Sequence, residues 1–291
     1  MTETIALKPA AFRFQHALGV RWSEVDAQNI VFNAHYLMYV DTAVAEYWRA
    51  LALPYAASLD KLGGELFVRK AKVEYLAPAR FDDRLSVGIR FERVGESSLT
   101  LRGAVFREHR LLASAEIVYV FADAPSRQPR RLPDALRQAL AGYELGEPMT
   151  WLKTGAWAEL QADAQPLRHA VFVQEQGVPV EEEWDAADAT ALHAVLYNRL
   201  SQPIATGRLL QDAPGIARIG RMAVDHGVRG YGYGAQVLDG LIAAARARGD
   251  TEVQLHAQQS AVSFYRRRGF VDLGEPFEEV GIPHQGMRLV F

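Results

Sequence analysis

The sequence contains no cysteine among its 291 residues, which excludes disulfide bonds, thiolate metal ligands and a cysteine nucleophile. No apolar run approaches the ~20 residues needed to span a bilayer. The net charge is only −3, so no overall basic field favours nucleic acid or a membrane surface. The first fourteen residues, MTETIALKPAAFRF, lack a basic segment followed by an apolar one, and therefore predict no secretion signal. These absences predict a soluble, cytoplasmic protein.

The length and the 49% of hydrophobic residues suffice for two cores, at roughly 100–150 residues per domain. Residues 122–150 carry four of the 13 prolines. Because proline removes a backbone donor, this stretch cannot continue a strand. We expect a linker that contains a short helix capped by Asp134. The predicted domains are residues 1–146 and 147–291.

The first half is predicted to fold as one long helix followed by four strands. Its apolar residues recur with helical spacing over about four turns: Tyr36, Tyr39, Val40, Ala43, Tyr47, Trp48 and Leu51. Four alternating segments follow, LFVRKAKVEYL, LSVGIRFERV, SSLTLRGAVFRE and LLASAEIVYVF, and an extended run from Phe12 to Trp22 precedes the helix. This order predicts an antiparallel sheet wrapped on a central helix.

The second half is predicted to be a mixed α/β domain, which makes the whole chain α+β. Strands are expected at HAVLYN, PIATGRLL, IARIGRMAV, EVQLHA and GMRLVF, the first two joined as a hairpin. A helix should end at Gly249, and a shorter one at Gly269. In such a domain a ligand is expected where a strand ends and the next helix begins, at the helix N-terminus.

Asp26 stands a few residues before the long helix, in RWSEVDAQNIVFNAHY. A carboxylate at this place can act as a base or a nucleophile on a carbonyl, and the free N–H groups at the helix start can stabilise the oxyanion. The alternative is an aspartate of the surface loop or a remote helix cap.

The residues from Asp26 to Tyr36, followed by Asp41, and the later segment YLAPARFDDRL resemble hotdog-fold acyl-CoA thioesterases of the 4-hydroxybenzoyl-CoA type. The resemblance covers roughly residues 12–122. It implies that Asp26 attacks the thioester carbonyl or activates water, and that the backbone N–H of Asn33 points at the thioester oxygen. It also implies a homodimer or larger homo-oligomer, since hotdog domains pair their sheets and form the acyl site between protomers.

Three residues near this signature allow more than one interpretation. Asn29 replaces the glycine usual in the family, and we expect the turn to survive because asparagine tolerates left-handed φ. His35 is interpreted as helix packing or support, with a ligand or base as the alternative. Glu46 is interpreted as structural, although some relatives use a helix glutamate in catalysis.

A glycine-rich turn in VDHGVRGYGYGAQVL follows the strand GRMAV and opens a helix. Backbone N–H donors without Cβ atoms, at a helix N-terminus, suit a pyrophosphate. The candidate phosphate-binding residues are Arg229, Gly230, Gly232 and Gly234. A flexible turn without a ligand is the alternative.

Together with SFYRRRGF, LRHAVFVQEQGVPVEEEWDAAD and GIPHQGM, this turn resembles the GNAT acetyltransferases of the ElaA type, over roughly residues 151–291. The resemblance implies that the turn binds the pyrophosphate of acetyl-CoA, that Met222 and Val224 bond the pantetheine arm, and that Tyr265 protonates the departing CoA thiolate. A buried tyrosine that only packs the helix is the alternative. Gln258 stands where many relatives have asparagine, which puts one CoA contact in doubt.

The base that deprotonates an amine acceptor is not fixed by the sequence. His193, Glu175 and His284 are the candidates, and each could equally be structural. The acidic segment EEEWDAAD could receive a cationic amine or form a solvated face.

The sequence therefore predicts a bifunctional enzyme that hydrolyses an acyl-CoA and transfers acetyl from acetyl-CoA to an amine. Coenzyme A thioesters enter as substrates, and no tightly bound cofactor, metal, nucleic acid or membrane partner is expected. Two alternatives remain: one catalytic domain with the other serving CoA binding or oligomerisation, or an acyl-CoA sensor without turnover.

Overall fold

The computed structural model describes residues 7–291, and the chain divides into two compact units, Met1–Met149 and Thr150–Phe291. The boundary expected between residues 146 and 147 stays a prediction. The prediction of no secretion signal concerns residues 1–14, and the first six of these lie outside the described residues. Over residues 7–291, no helix is both long and apolar enough to cross a bilayer.

The first unit is a five-stranded antiparallel sheet that packs against one long helix, as the sequence predicts. The strands, in the sheet order β1-β3-β4-β5-β2, are β1 (Phe14–Gly19), β2 (Glu65–Tyr75), β3 (Arg84–Val94), β4 (Ser98–Arg107) and β5 (Arg110–Ala122). Helix α1 (Asn33–Ala50) buries its predicted apolar stripe. Gly103 permits the close approach, because a Cβ there would lie 2.8 Å from Cγ1 of Val40.

The stretch expected to be a linker contains a helix that belongs to the core of the first unit. Helix α3 (Asp134–Glu144) buries Leu136, Leu140 and other apolar residues, and the Tyr47 hydroxyl donates to Glu144 at 2.6 Å. The prediction that Asp134 caps this helix is wrong. Pro133 holds the cap position and Asp134 is already helical, because the fixed φ of proline suits a helix start.

Two further details of the first unit differ from the predictions. The extended run expected from Phe12 to Trp22 forms a strand only over β1, since residues 22–24 coil into a short 3₁₀ turn. A short helix, α2 (Tyr55–Leu62), stands between α1 and β2. It ends at Gly63, which has a left-handed φ of 69°.

The second unit contains a mixed sheet. Its strands are β6 (Thr150–Gly155), β7 (Leu192–Asn198), β8 (Pro203–Ala213), β9 (Ile216–Val224), β10 (Glu252–Gln258), β11 (Val271–Asp272), β12 (Phe277–Glu279) and β13 (Ile282–Val290). Their order in the sheet is β11-β13-β10-β9-β8-β7-β6, with β12 paired to β13. The helices are α4 (Trp157–Arg168), α5 (Val180–Glu183), α6 (Tyr233–Arg248) and α7 (Val262–Arg266).

The five predicted strands of this unit are all present, and α6 ends at Gly249 with a φ of 92°, as expected. The sequence analysis missed β6 and α4. The feature that positions the site is the pair β9 and β10. They run parallel for three residue pairs, from Ile216 to Arg218 on β9, and no pairing between them continues beyond that point.

Candidate functional site

Asp26 lies in a tight turn between β1 and α1. Its backbone N–H donates to the carbonyl oxygen of Ile30 at 2.9 Å, and its Oδ1 accepts from the backbone N–H of Gln28 at 2.8 Å. Asn29 has a left-handed φ of 59°, the conformation expected of the residue that replaces glycine. The turn therefore fixes the aspartate with one carboxylate oxygen already engaged.

The start of α1 presents unused backbone donors beside this turn. Phe32 holds the cap position and makes no side-chain cap. Within residues 7–291, no acceptor pairs with the N–H of Asn33, as the first amides of a helix have no intrahelical partner. A cleft of about 670 Å³ is lined by Asp26, Ala27, Gln28, Ile30, Val31, Phe32, Asn33, Tyr36, Tyr75, Leu76, Ala77 and Pro78. The structure thus brings Asp26 and Asn33 to one cleft.

Glu24 stabilises the turn through hydrogen bonds, a role that was not predicted from the sequence. It is buried, accepts from the Tyr39 hydroxyl at 2.7 Å and from the backbone N–H of Arg21 at 2.8 Å, and its carbonyl accepts from the N–H of Phe32. Burial alone would raise its pKa, but the hydrogen bonds from Arg21 and Tyr39 outweigh it and hold the pKa below the ordinary value.

The two other candidates on α1 lie outside the lining of this cleft. His35 stacks on Tyr39 with ring centroids 6.4 Å apart, which fits the packing interpretation. Glu46 pairs with Arg49 one turn along the helix at 2.5 Å.

The second unit contains a cleft where β9 and β10 part. Its volume is about 500 Å³, and its lining includes Gly220, Arg221 and Met222 from β9, His256 and Gln258 from β10, Tyr265 from α7 and His284 from β13. Beyond Arg218, no β10 residue pairs with β9. An extended ligand arm could therefore lie along β9 as an added strand.

The glycine-rich turn follows β9 and leads into α6. Gly230 and Gly232 have φ values of 89° and 84°, a region that favours glycine. A Cβ at either position would meet nothing within 4 Å, so their surroundings are open. Gly232 is the cap residue of α6, with no side-chain cap. At Gly234 a Cβ would lie 3.1 Å from Cγ2 of Val224, so this glycine also lets the helix approach the strand.

The Arg229 guanidinium is already engaged by protein groups. Its two terminal nitrogens donate to the Glu175 carboxylate at 2.5 and 2.7 Å, and its Nε donates to the Val224 carbonyl at 3.0 Å. Arg229 therefore braces the turn against β9. Within residues 7–291, no acceptor pairs with the backbone N–H groups of Gly230, Gly232 and Gly234.

Comparison with known proteins matches each unit to a different family. Residues 20–140 match the thioesterase-like superfamily and residues 161–291 match the acetyltransferase (GNAT) domain. The acyl-CoA thioester hydrolase YbgC of Escherichia coli is 30% identical over 124 residues, covering 42% of this chain and 92% of that protein. The uncharacterized N-acetyltransferase YjcF of Bacillus subtilis is 37% identical over 127 residues, covering 43% of this chain and 89% of that protein.

The chain joins a thioesterase-like domain to a GNAT domain. Both resemblances expected from the sequence are confirmed. The solved structure of Escherichia coli ElaA is 30% identical and covers 48% of this chain and 99% of that chain, with a TM-score of 0.44. The Asp26 cleft lies within the residues matched to the thioesterase-like superfamily, and the cleft between β9 and β10 lies within those matched to the GNAT domain.

Tyr265 lies in the GNAT cleft with its ring packed edge-on against Phe264 and Phe270. Burial raises its pKa to about 12, so the hydroxyl stays protonated at neutral pH. The ring packs and the residue also lines the cleft, so the catalytic role of Tyr265 stays a prediction.

The three sequence candidates for the base differ in position. His193 is buried, with Nε2 2.9 Å from the Asp188 carbonyl oxygen, and it is absent from the cleft lining. Burial lowers the pKa of His193. Glu175 also lies outside the lining, and Arg229 lowers the pKa of its carboxyl through hydrogen bonds. Of the three, only His284 lines the cleft.

An ion-pair cluster that was not predicted from the sequence lies beside the GNAT cleft, which is lined by three of its members, Glu183, Asp185 and Arg208. The cluster consists of Arg168, Glu183, Asp185, Asp188 and Arg208. The Arg168 Nε lies 2.5 Å from Glu183 Oε1, and both arginines donate to Asp188 Oδ1 at 2.8 Å. Helix α4, missed in the sequence, supplies Arg168.

Among the described residues, no group of three or more potential ligands could hold a metal ion. The expectation that no metal takes part stays a prediction.

Proposed function

We propose that the chain is a bifunctional enzyme of CoA thioesters, with acyl-CoA hydrolysis in the thioesterase-like domain and acetyl transfer to an amine in the GNAT domain. One observation carries the proposal: each domain has a cleft lined by a candidate acid–base residue, Asp26 beside the start of α1 in the first and Tyr265 in the second. The relatives named above are a thioester hydrolase and an N-acetyltransferase. A cytoplasmic location is part of the same proposal.

In the hydrolysis reaction, Asp26 attacks the thioester carbonyl or activates a water molecule. Either step creates an oxyanion, which the Asn33 N–H at the positive end of α1 stabilises. The C–S bond then breaks: on the water route the proton that Asp26 took from water passes to the CoA thiolate, and on the nucleophilic route water afterwards hydrolyses the acyl–Asp26 anhydride and supplies that proton. The other lining residues are mostly aromatic and aliphatic, which suits an acyl group better than a charged one.

In the transfer reaction, an amine attacks the acetyl carbonyl and the C–S bond breaks. The amides of Gly230, Gly232 and Gly234 bind the pyrophosphate of the donor, and the β9 backbone at Met222 and Val224 bonds the pantetheine arm. Tyr265 supplies the proton that the departing thiolate needs, since its hydroxyl remains protonated at neutral pH.

We propose that the thioesterase-like domain assembles at least a homodimer through the β2 edge. Strand β2 is an 11-residue edge strand with most of its residues exposed, and an uncovered edge of that length invites pairing. Phe32, Tyr75 and Leu76, which line the Asp26 cleft, are 49%, 52% and 58% exposed. A second protomer would cover this apolar surface.

The decisive test assays two variants for both activities. Asp26→Asn should lower kcat/KM for acyl-CoA hydrolysis by about 10²–10⁴-fold and leave acetyl transfer unchanged, whereas Tyr265→Phe should lower transfer by about 10²-fold or more and leave hydrolysis unchanged. Thiol release across a panel of acyl-CoAs, with and without amines, measures both reactions. Asp60→Asn on α2 and Tyr197→Phe on β7 are matched controls outside the two clefts.

The same assay separates the alternatives. If one activity never appears in the wild type, its domain serves binding or assembly. If acyl-CoA stays intact while it binds at micromolar concentration, the chain is a sensor and the proposal fails.

Analytical ultracentrifugation tests the assembly. The wild type should sediment as a dimer or larger species at micromolar concentration, and Val68→Glu, at a 59% exposed position on β2, should shift it toward monomer. Val271→Glu, at a 56% exposed position in the GNAT domain, is the matched control. A wild type that is only monomeric would contradict the proposal.

A further inference from the structure

A histidine and a glutamate in the GNAT cleft have no role in the reaction as described so far. His256 on β10 and Glu279 on β12 both line the cleft that contains Tyr265. Nδ1 of His256 lies 3.1 Å from Oε2 of Glu279. Phe277 packs edge-on against the imidazole with ring centroids 4.8 Å apart, and so limits the orientations of the ring.

The pairing determines which imidazole nitrogen can accept a proton. An ionised carboxylate only accepts hydrogen bonds, so Nδ1 of His256 carries the hydrogen and Nε2 keeps its lone pair. A carboxylate that orients a histidine in this way also stabilises the imidazolium formed after proton transfer. Within residues 7–291, no protein group pairs with Nε2 of His256, which leaves this atom available to a ligand.

We propose that His256, oriented by Glu279, is the general base that deprotonates the amine acceptor; this rests on the proposed acetyl transfer. The acceptor enters as an ammonium ion and gives one proton to Nε2 of His256, which passes it to solvent. The neutral amine forms the C–N bond as the C–S bond breaks. Tyr265 gives its proton to the thiolate, and the second proton lost by the nitrogen restores the Tyr265 hydroxyl.

The other candidates fit this role less well. His193 and Glu175 lie outside the cleft lining. His284 lines it, but its Nδ1 lies 2.8 Å from the Ile282 carbonyl oxygen, which is neutral and stabilises an imidazolium less than a carboxylate does. His256 therefore has the better partner for a group that becomes a cation during the reaction.

Several other titratable or charged groups face the same cleft and would contribute to its pH dependence. Besides Glu279 and the ion-pair cluster, they are Glu181 and Glu182 from α5, Arg218 and Arg221 from β9, Tyr265 from α7, and His284 from β13. Arg218 pairs with Asp212, and Arg221 pairs with Glu183 and Asp185. Within residues 7–291, neither arginine pairs with His256, so Glu279 is its direct charged partner.

The test is the pH profile of kcat/KM for acetyl transfer to spermidine, tryptamine, glucosamine and a peptide α-amine. His256→Gln should lower kcat/KM by about 10²–10⁴-fold and displace the acid limb of the profile to higher pH, because only the neutral fraction of the amine then reacts. The His256 side chain is 42% exposed, so we expect the variant to fold, and its thermal transition checks this. Glu279→Gln should give a smaller loss and move the acid limb toward lower pH.

Two comparisons separate a base from a merely structural residue. An aniline or hydrazide is already neutral at pH 7, so His256→Gln should slow its acetylation far less than that of spermidine. His284→Gln should keep the acid limb, whatever its effect on the rate.

The outcomes separate this inference from the proposed function. An acid limb that stays at the wild-type pH in His256→Gln overturns the role of His256 and leaves the transferase intact. Binding of CoA by the wild type without transfer to any amine of the panel overturns the transferase and the base together.

Discussion

The two clefts arrange their polar groups in opposite ways. Among the described residues that line the first cleft, Asp26 is the only carboxylate, and its neighbours are largely aromatic and aliphatic. The GNAT cleft is lined by several carboxylates, arginines and histidines, many of them paired with one another. The first cleft places one carboxylate beside a helix N-terminus, whereas the second contains a network of paired charged side chains. Disturbing each kind of arrangement should therefore have different consequences.

The largest effect should come from the buried charges of the GNAT domain. Arg168→Leu removes the closest partner of Glu183 and leaves Asp188 paired with Arg208 alone, and breaking a buried ion pair in this way costs about 3–5 kcal/mol. Denaturant unfolding followed by tryptophan fluorescence measures the loss, since Trp157 and Trp184 flank the Arg168 guanidinium at 5.2 and 4.9 Å. Unchanged hydrolysis by the thioesterase-like domain is the control. A loss below 1 kcal/mol would show that the network is dispensable.

The next effect concerns acid stability in the thioesterase-like domain. Because the pKa of Glu24 is lower in the folded chain than its ordinary value of 4.5, protonation favours the unfolded chain. Its contribution is complete above that ordinary value and is lost as the pH falls through the folded-state pKa. Glu24→Gln should cost about 1.5–3 kcal/mol at pH 7.

The Glu24 prediction is measured by comparing the unfolding free energy of Glu24→Gln and the wild type from pH 7 down to pH 3. The two curves should converge as the pH falls. Curves that stay parallel over this range would show that Glu24 does not contribute through its charge.

A packing change should have a comparable or smaller effect on the first cleft. Gly103→Ala places a methyl group 2.8 Å from Val40 Cγ1, and overpacking of this kind costs about 1–3 kcal/mol. Because α1 carries Asn33 at its start, displacing the helix should also lower hydrolysis. Thermal unfolding and thiol release measure the two effects, and acetyl transfer should not change.

The smallest effect is expected at Glu175. Both of its oxygens accept from Arg229, and the two side chains are 44% and 40% exposed, so the pair contributes at most about 1 kcal/mol. Glu175→Gln should change kcat/KM for transfer by less than about tenfold, the equivalent of 1.4 kcal/mol. A loss of 10²-fold with the acid limb displaced to higher pH would restore Glu175 as a candidate base.

The features predictable from sequence are those encoded by local periodicity or by glycine. The stripe from Tyr36 to Leu51 predicted α1 because one helix face is buried along its whole length. The turn from Gly230 to Gly234 was predictable because its conformation restricts residue type. The signature from Asp26 to Tyr36 indicated the first family, and the glycine-rich turn together with segments such as SFYRRRGF indicated the second.

The missed features depend on tertiary packing. Helix α4 contains Pro166 and has a weak apolar pattern, so it is stabilised mainly by its contacts. Strand β7 is buried on both faces, so alternation could not show that His193 points away from the cleft. His256 and Glu279 are 23 residues apart and come together only through the pairing of β10, β12 and β13.

The proposed oxyanion donor at Asn33 is a main-chain group, so replacing the side chain leaves it in place. Only an imino acid deletes it. Proline is tolerated at the first position of a helix, and Phe32, with φ −59° and ψ 135°, already has the conformation required before proline. Asn33→Pro would thus remove this one backbone N–H donor while the helix retains its geometry.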